Sequence, residues 1–420
     1  MTLSKIKHIS KFVREADVLL VLALIWFTGK FIRYVFPPLF ELLQETFAVS
    51  TTSVGWAFSI FLFAYAAVQF PSGLLSDSYG SVWVITAGVL LSSLGAMLLV
   101  LDLPFGLFII IMVILGVGTG IHKTSAVNLI SIIYPRKKGR SLGLFDTFGT
   151  FGGVVAPAAV IIAATIPGSV PGWRILLFST GLFGLILLFI FISQVSKEIA
   201  NKKELIRKIK NIRLDDGFLP DNTQKSTAYV KIFREKRFVI FLLVSILFSF
   251  TYYGIVSFLP FYLTQEVGIS SYHANLFYSV LFIASVSQIL SGELSDQIGT
   301  VQIIVVALTF FTMSFVVFML NTDSALLYIG VCVFCIGVGA HSFRPVRGSY
   351  LMELLPDDIS AGGLGIVRTF LMSSGAVSPG IIGTISELAG FRIAFWLLAI
   401  SIGAATICSM LLIYIEADIH

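Results

Sequence analysis

Charge is scarce in this sequence. Asp, Glu, Lys and Arg make up 12% of 420 residues, about half the share of a soluble domain. Apolar residues make up 57% and mean hydropathy is +0.95. So little polar surface cannot cover a globule in water. That excludes a soluble enzyme, a disordered tail, a collagen-like fibre and a coiled coil. Cysteine is almost missing. Cys332, Cys335 and Cys408 all lie in apolar runs, so no disulfide framework is implied. The C-x-x-C of Cys332 and Cys335 has no second pair and no nearby His, so small packed residues are the simpler reading and no metal is expected. No Ser-His-Asp array, paired carboxylate or nucleotide loop stands out. The G-x-G-x-x-x-H at Gly116 to His122 lies inside an apolar run with no strand before it, unlike a dinucleotide loop. The chain is therefore read as neither an enzyme nor an ATP-driven pump, without cofactors.

What is present is a series of apolar runs of about 20 residues, the length that crosses a ~30 Å hydrocarbon core. They fall at about 16–41, 52–75, 82–101, 105–134, 141–165 and 173–195, then 238–264, 271–294, 301–320, 324–353, 361–386 and 392–415. The first is too long for a signal-peptide core and lacks a cleavage site. The pattern predicts an all-α membrane protein with twelve transmembrane helices: a first six-helix unit over 1–195, a basic linker over 196–237 and a second unit over 238–420. The linker holds twelve Lys/Arg and six Asp/Glu. Its stretch 202–213 reads as a basic amphipathic helix or a solvated connection. With the N-terminus in the cytosol, the N-terminal tail, the loop after the fourth span and the linker hold 20 of the 28 basic residues. The positive-inside rule then puts both termini in the cytosol and the chain in the cell membrane. The net charge of +5 reports topology, so no nucleic-acid partner is expected.

The two halves repeat. PSGLLSDSYGS (71–81) follows the second span and LSGELSDQIGT (290–300) follows the eighth. Asp77 matches Asp296 at an offset of 219, as do Gly73 and Gly292, Gly80 and Gly299, Gln69 and Gln288. Lys123 matches Arg344, and Pro135 matches Pro356, at 221. Gly153 and Pro157 match Gly375 and Pro379 at 222. Such constant offsets mark a duplicated six-span unit, a pattern typical of transporters.

On these residues the chain resembles the major facilitator superfamily along essentially its whole length. The carrying motif is G-x-L-x-D-x-x-G, present at Gly73–Gly80 and again at Gly292–Gly299. The resemblance implies two pseudo-symmetric six-helix bundles and a conformational latch at Gly73, Asp77, Gly80, Gly292, Asp296 and Gly299. Family members usually carry basic residues where Ser78, Ser81 and Val82 stand here. The resemblance also implies that spans 1, 4, 7 and 10 line the central pathway.

Six basic residues fall inside the spans: Lys30, Arg33, Lys123, Arg344, Arg347 and Arg368. Each costs about 2.5–3.5 kcal/mol at the bilayer centre and normally faces a cavity or a partner. Lys123 and Arg344 each precede their proline by twelve residues, ~18 Å along a helix and close to the midplane. Lys30 and Arg33 share a helix face with Tyr34 beside them. Span 7 offers Tyr252 and Tyr253. Asp146 is the one clearly intramembrane acid, so the cavity carries surplus positive charge and attracts anions. Lys30, Arg33, Lys123, Arg344, Tyr252 and Tyr253 are the expected substrate-binding residues. His122, Asp146 and His341 are candidate proton carriers, with packed histidines as the plainer reading. Asp146, Arg347 and Arg368 are candidate gate pairs. The Gly/Pro-rich stretches in spans 5 and 11 read as close-packing surfaces.

The expected function is secondary transport by alternating access, by a monomer in the lipid bilayer. The cargo is a small organic anion, coupled to protons, as in a symporter. The alternatives are a proton-linked exporter of amphipathic compounds and, from another class, a non-transporting sensor or scaffold.

Overall fold

The computed structural model describes residues 3–201, 234–322, 324–354 and 360–417, apart from the side chains of 3–17, 70, 77, 136, 196–201, 360–366 and 416–417. Most of the linker, its 202–213 stretch included, lies outside these residues. Every described element is helical. Span 1 is Leu3–Val35, continued by a short turn at Pro37–Leu39 and a helix at Phe40–Phe47. Spans 2 to 6 are Thr51–Tyr79, Ser81–Leu98, Phe105–Ile133, Lys138–Ala164 and Gly172–Asn201. Span 7 is Lys236–Gln265. Span 8 is broken into Ser271–Ile283 and Ser287–Ile298 by a 3-10 turn at Ala284–Val286. Spans 9 to 12 are Thr300–Leu320, Leu326–Leu354, Ser360–Ala389 and Phe391–Ala417. Eleven of these helical stretches are long and apolar enough to cross a membrane. Span 11, rich in Gly, Ser and Thr, completes the twelve.

Span 2 runs four residues past the expected 75, so the repeated motif is the last turns of a helix rather than a loop. The chain reverses at Gly80 (φ 92°) and, in the second copy, at Gly299 (φ 114°). These left-handed values favour glycine. Each glycine donates its N–H four residues back, to Ser76 and to Ser295, and starts the next helix.

Packing repeats as the sequence does. In the first bundle span 1 lies on spans 5 and 6, span 4 on 2 and 3, and span 3 on 6. In the second, span 7 lies on 11 and 12, span 10 on 8 and 9, and span 9 on 12. The bundles meet through spans 2 and 11 and, by the same symmetry, spans 5 and 8. Their hydrogen bonds cluster in the half distant from the chain termini. Thr52 N–H donates to the Glu387 carboxylate at 3.0 Å, Trp56 Nε1 to Thr384 Oγ1 at 3.3 Å, and Gly380 N–H to Ser59 Oγ at 2.8 Å. Gln265 donates to Glu41 across the same seam, and Ser279 Oγ donates to the Val154 carbonyl at 2.9 Å. Aromatic contacts fill this half: Phe40 on Phe258 at 5.2 Å and Tyr34 on Phe282 at 4.4 Å. On the side of the termini, spans 5 and 8 part instead around a cavity of about 340 Å³ lined by Asp146, Thr147, Thr150, Phe151, Phe282 and Gln288 among others. The hydrogen bonds between the bundles thus lie towards one side of the molecule and this cavity towards the other.

Candidate functional site

The face of span 1 that looks across the bundle carries Trp26, Lys30, Arg33 and Tyr34, at helical spacings of three and four. Lys30 is 8% exposed and Arg33 4%, so neither reaches bulk water. Lys30 Nζ lies 5.2 Å from the centre of the Trp26 ring and 5.3 Å from that of Tyr34, and donates to the Tyr34 hydroxyl at 3.4 Å. Lys123 of span 4 puts its Nζ 4.7 Å from the same Trp26 ring. One indole therefore hosts two ammonium groups, each held by the electron-rich ring system. Arg33 stacks on Tyr65 of span 2, its Cζ 3.7 Å from the ring centre, and its buried Nε has no hydrogen-bond partner.

The second bundle supplies Arg344 of span 10. Its Cζ is 5.5 Å from the Tyr252 ring and its Nη1 donates to His341 Nδ1 at 3.4 Å. A guanidinium only donates, so this contact makes Nδ1 an acceptor and the imidazole neutral. Asp146 is the acid within electrostatic range of Arg344. Lys30 feels Arg344, Arg33 and Lys123 together. Among the described residues, no carboxylate pairs with any of these four cations. The ion pairs found there lie elsewhere, Arg174 with Asp102 at 2.7 Å and Arg237 with Glu235 at 2.7 Å. The structure thus brings Lys30, Arg33, Lys123, Arg344, Tyr252 and Tyr253 to one centre, from spans 1, 4, 7 and 10.

The remaining expected residues are dispersed. Arg347 lies between Phe248 and Phe343, donates to Ser249 Oγ at 3.3 Å and is in range of Arg344 and Arg368. Arg368 and Asp146 are exposed, and no ion pair joins Asp146 to Arg347 or Arg368 in this state. His122, next to Lys123 in sequence, is turned by about 100° of helix into the first bundle, where it meets Gly29, Trp26 and the Gly118 carbonyl at 3.2 Å. His341 is fully buried and also within 3.3 Å of Gln288 Nε2. Of the latch residues, Gly80 and Gly299 form the reversals and Asp296 is exposed. Gly292 has no atom within 4 Å of an added Cβ, and Gly73 only Thr124 at 3.8 Å. The Asp77 side chain lies outside the described residues.

Trp26, Tyr65 and Phe282 complete the centre and were not expected from sequence. Trp26 carries a signal, four residues before Lys30 on one face. Tyr65 and Phe282 sit in apolar runs and carry none. Small residues make room for them: Gly149 lies against the Trp26 indole and Gly153 against Phe282, where an added Cβ would stand 2.8 Å from its Cδ1.

The family model described as Major Facilitator Superfamily matches residues 20–343 and 281–418. The fosmidomycin resistance protein of Escherichia coli K12 is 24% identical over 367 residues, 85% of this chain and 83% of that protein. A probable sulfoacetate transporter of Cupriavidus necator, SauU, is 24% identical over 425 aligned positions, covering 94% and 92%. Among solved structures, the E. coli xylose transporter XylE in its inward-open conformation superposes with a TM-score of 0.75 at 15% identity, covering 94% of this chain and 95% of that one. The repeated bundles, the paired glycine reversals and this match along nearly the whole sequence lead to one conclusion: the chain belongs to the major facilitator superfamily and is a multi-pass membrane transporter of small solutes.

Proposed function

We propose that the solute is a small organic anion and that its movement is coupled to protons. One observation supports this above others: Lys30 stands amid Arg33, Lys123 and Arg344 with no carboxylate paired to any of them among the described residues. Charges buried without counter-ions are costly, and an anionic solute supplies the missing charge. Guanidinium groups grip carboxylates bidentately while ammonium groups act as point charges. A relative named for sulfoacetate, an anion, is in keeping with this. The carrier is read as a plasma-membrane monomer with cytosolic termini, here open to the cytosol.

Asp146 is the favoured proton carrier. It lines the cavity between spans 5 and 8 and lies in range of Arg344, whereas both histidines are buried and hydrogen-bonded within their own bundles. Later pairing of Asp146 with Arg347 or Arg368 would close the cytosolic side. Reconstituted into liposomes, the chain is expected to accumulate carboxylates or sulfonates, and Lys123→Gln and Arg344→Gln are each expected to abolish uptake with membrane insertion intact. Unchanged uptake in both variants overturns the assignment.

The opening between spans 5 and 8 is mostly apolar, with Phe151, Ile283, Val286 and Ile289 exposed around it. That favours, as a second reading, export of amphipathic compounds entering from the bilayer. Altered drug sensitivity of an expressing strain, without anion uptake by liposomes, would select it.

A further inference from the structure

We propose that the central site is built for a solute with two anionic groups, one held by Lys30 and Lys123 of the first bundle and the other by Arg344 of the second. This rests on the anion reading above and narrows it. The cations are not equivalent. Arg33 is the most tightly stacked, its Cζ 3.7 Å from the Tyr65 ring centre against 4.7–5.5 Å for the ring contacts of Lys30, Lys123 and Arg344, and Arg347 is set between two phenylalanine rings with its donor on Ser249. Lys30 and Lys123 converge on one indole and so form a single positive locus. Arg344 has one nitrogen tied to His341, which fixes its plane and leaves the rest of its donor fork for a ligand. The two loci belong to different bundles and repel across the seam. The hydrogen bonds that join the bundles lie nearer the closed side, at Thr52, Trp56, Ser59 and Ser279. A monoanion discharges one locus and leaves the other facing solvent-poor space. A dianion discharges both and ties the bundles together at mid-depth while they rock.

The test uses the full chain in lipid nanodiscs at pH 7.5. Thermal stability is titrated with malonate, succinate and sulfoacetate, and with malonamate and succinamate, which keep the skeleton but carry one charge. At least one dianion is expected to act at a concentration tenfold or more below its monoanionic partner, about 1.4 kcal/mol. In Arg344→Gln and in Lys123→Gln that advantage should shrink to within about twofold, and Arg344→Lys should retain part of it. Where a variant does not fold, the wild-type comparison decides alone. Equal potency of succinate and succinamate, and of malonate and malonamate, without a response to sulfoacetate, overturns the two-locus site and leaves the anion reading standing. No response to any of the five overturns both.

Discussion

The carboxylate of Glu387, near the end of span 11, accepts the backbone N–H of Thr52 at 3.0 Å and so caps the first turn of span 2 from the opposite bundle. Ser50 caps the same turn from within its own chain segment, accepting from Ser53. Span 2 therefore has one cap that persists and one that exists only while the bundles are closed on this side. A helix N-terminus favours a carboxylate, which turns bundle closure into a hydrogen-bonding event.

Removing the second cap loosens the seal. Glu387→Ala is expected to cost the closed state about 0.5–2 kcal/mol, the range for a lost N-cap. Spin labels on Leu101 and Asn321, at the far ends of spans 3 and 9, should show a larger long-distance population, with Glu387→Gln intermediate. An unchanged distance distribution would mean that the contact is incidental.

The seal also needs Gly55. An added Cβ there would lie 3.3 Å from Gly383 Cα and 3.3 Å from Phe258 Cζ, so two backbones approach too closely for a side chain. Gly55→Val is expected to hold the carrier open on that side and to stop transport, read with the same label pair and by liposome flux. Gly106→Ala, at a position with nothing within 4 Å of the new Cβ, serves as the silent control.

Trp26 and Gly149 form a matched pair. Gly149→Ala overpacks the indole and is expected to destabilise the protein by about 1–3 kcal/mol, seen as a lower Tm. In a Trp26→Phe background the smaller ring leaves space, so the same substitution should cost clearly less. That non-additivity is the signature of direct contact. Additive losses would place the two residues in separate environments.

We propose that His341 holds Arg344 rather than carrying protons. His341→Gln keeps an acceptor for the guanidinium and is expected to retain proton-driven uptake. His341→Leu leaves a half-buried guanidinium short of a partner and should reduce uptake about tenfold or more. Asp146→Asn should abolish proton-driven uptake while sparing anion exchange. Proton coupling that survives Asp146→Asn and fails in His341→Gln would reverse the two roles.

The twelve spans and the twofold repeat were legible because lipid imposes long apolar runs and a duplication leaves constant offsets. Lys30, Lys123 and Arg344 were legible because a charge within such a run is expensive enough to need a purpose. Tyr65 and Phe282 were not, since an aromatic residue among apolar neighbours looks the same whether it packs a core or hosts a cation; Trp26 had only its spacing from Lys30 to mark it. The break in span 8 at Ala284–Val286 left no trace because no Pro or Gly marks it. His122 was expected as a candidate proton carrier from its imidazole, and one residue of helix from Lys123 sets it inside the first bundle against Gly29 and Trp26. The extension of span 2 through Pro71 to Tyr79 shows that the motif glycines punctuate less than their spacing implied: in each copy only the last glycine, Gly80 or Gly299, reverses the chain.

The central claim is that Lys123 and Arg344 serve one central site shared by both bundles. Its most direct test is thiol accessibility. Lys123→Cys and Arg344→Cys are made singly after replacing Cys332, Cys335 and Cys408, and each is reacted with a small charged methanethiosulfonate in the presence and absence of a transported anion. Both positions are predicted to react from the same side of the membrane, and both to be protected by the same anion. Reaction at only one of them, or protection of one without the other, would contradict a shared central site.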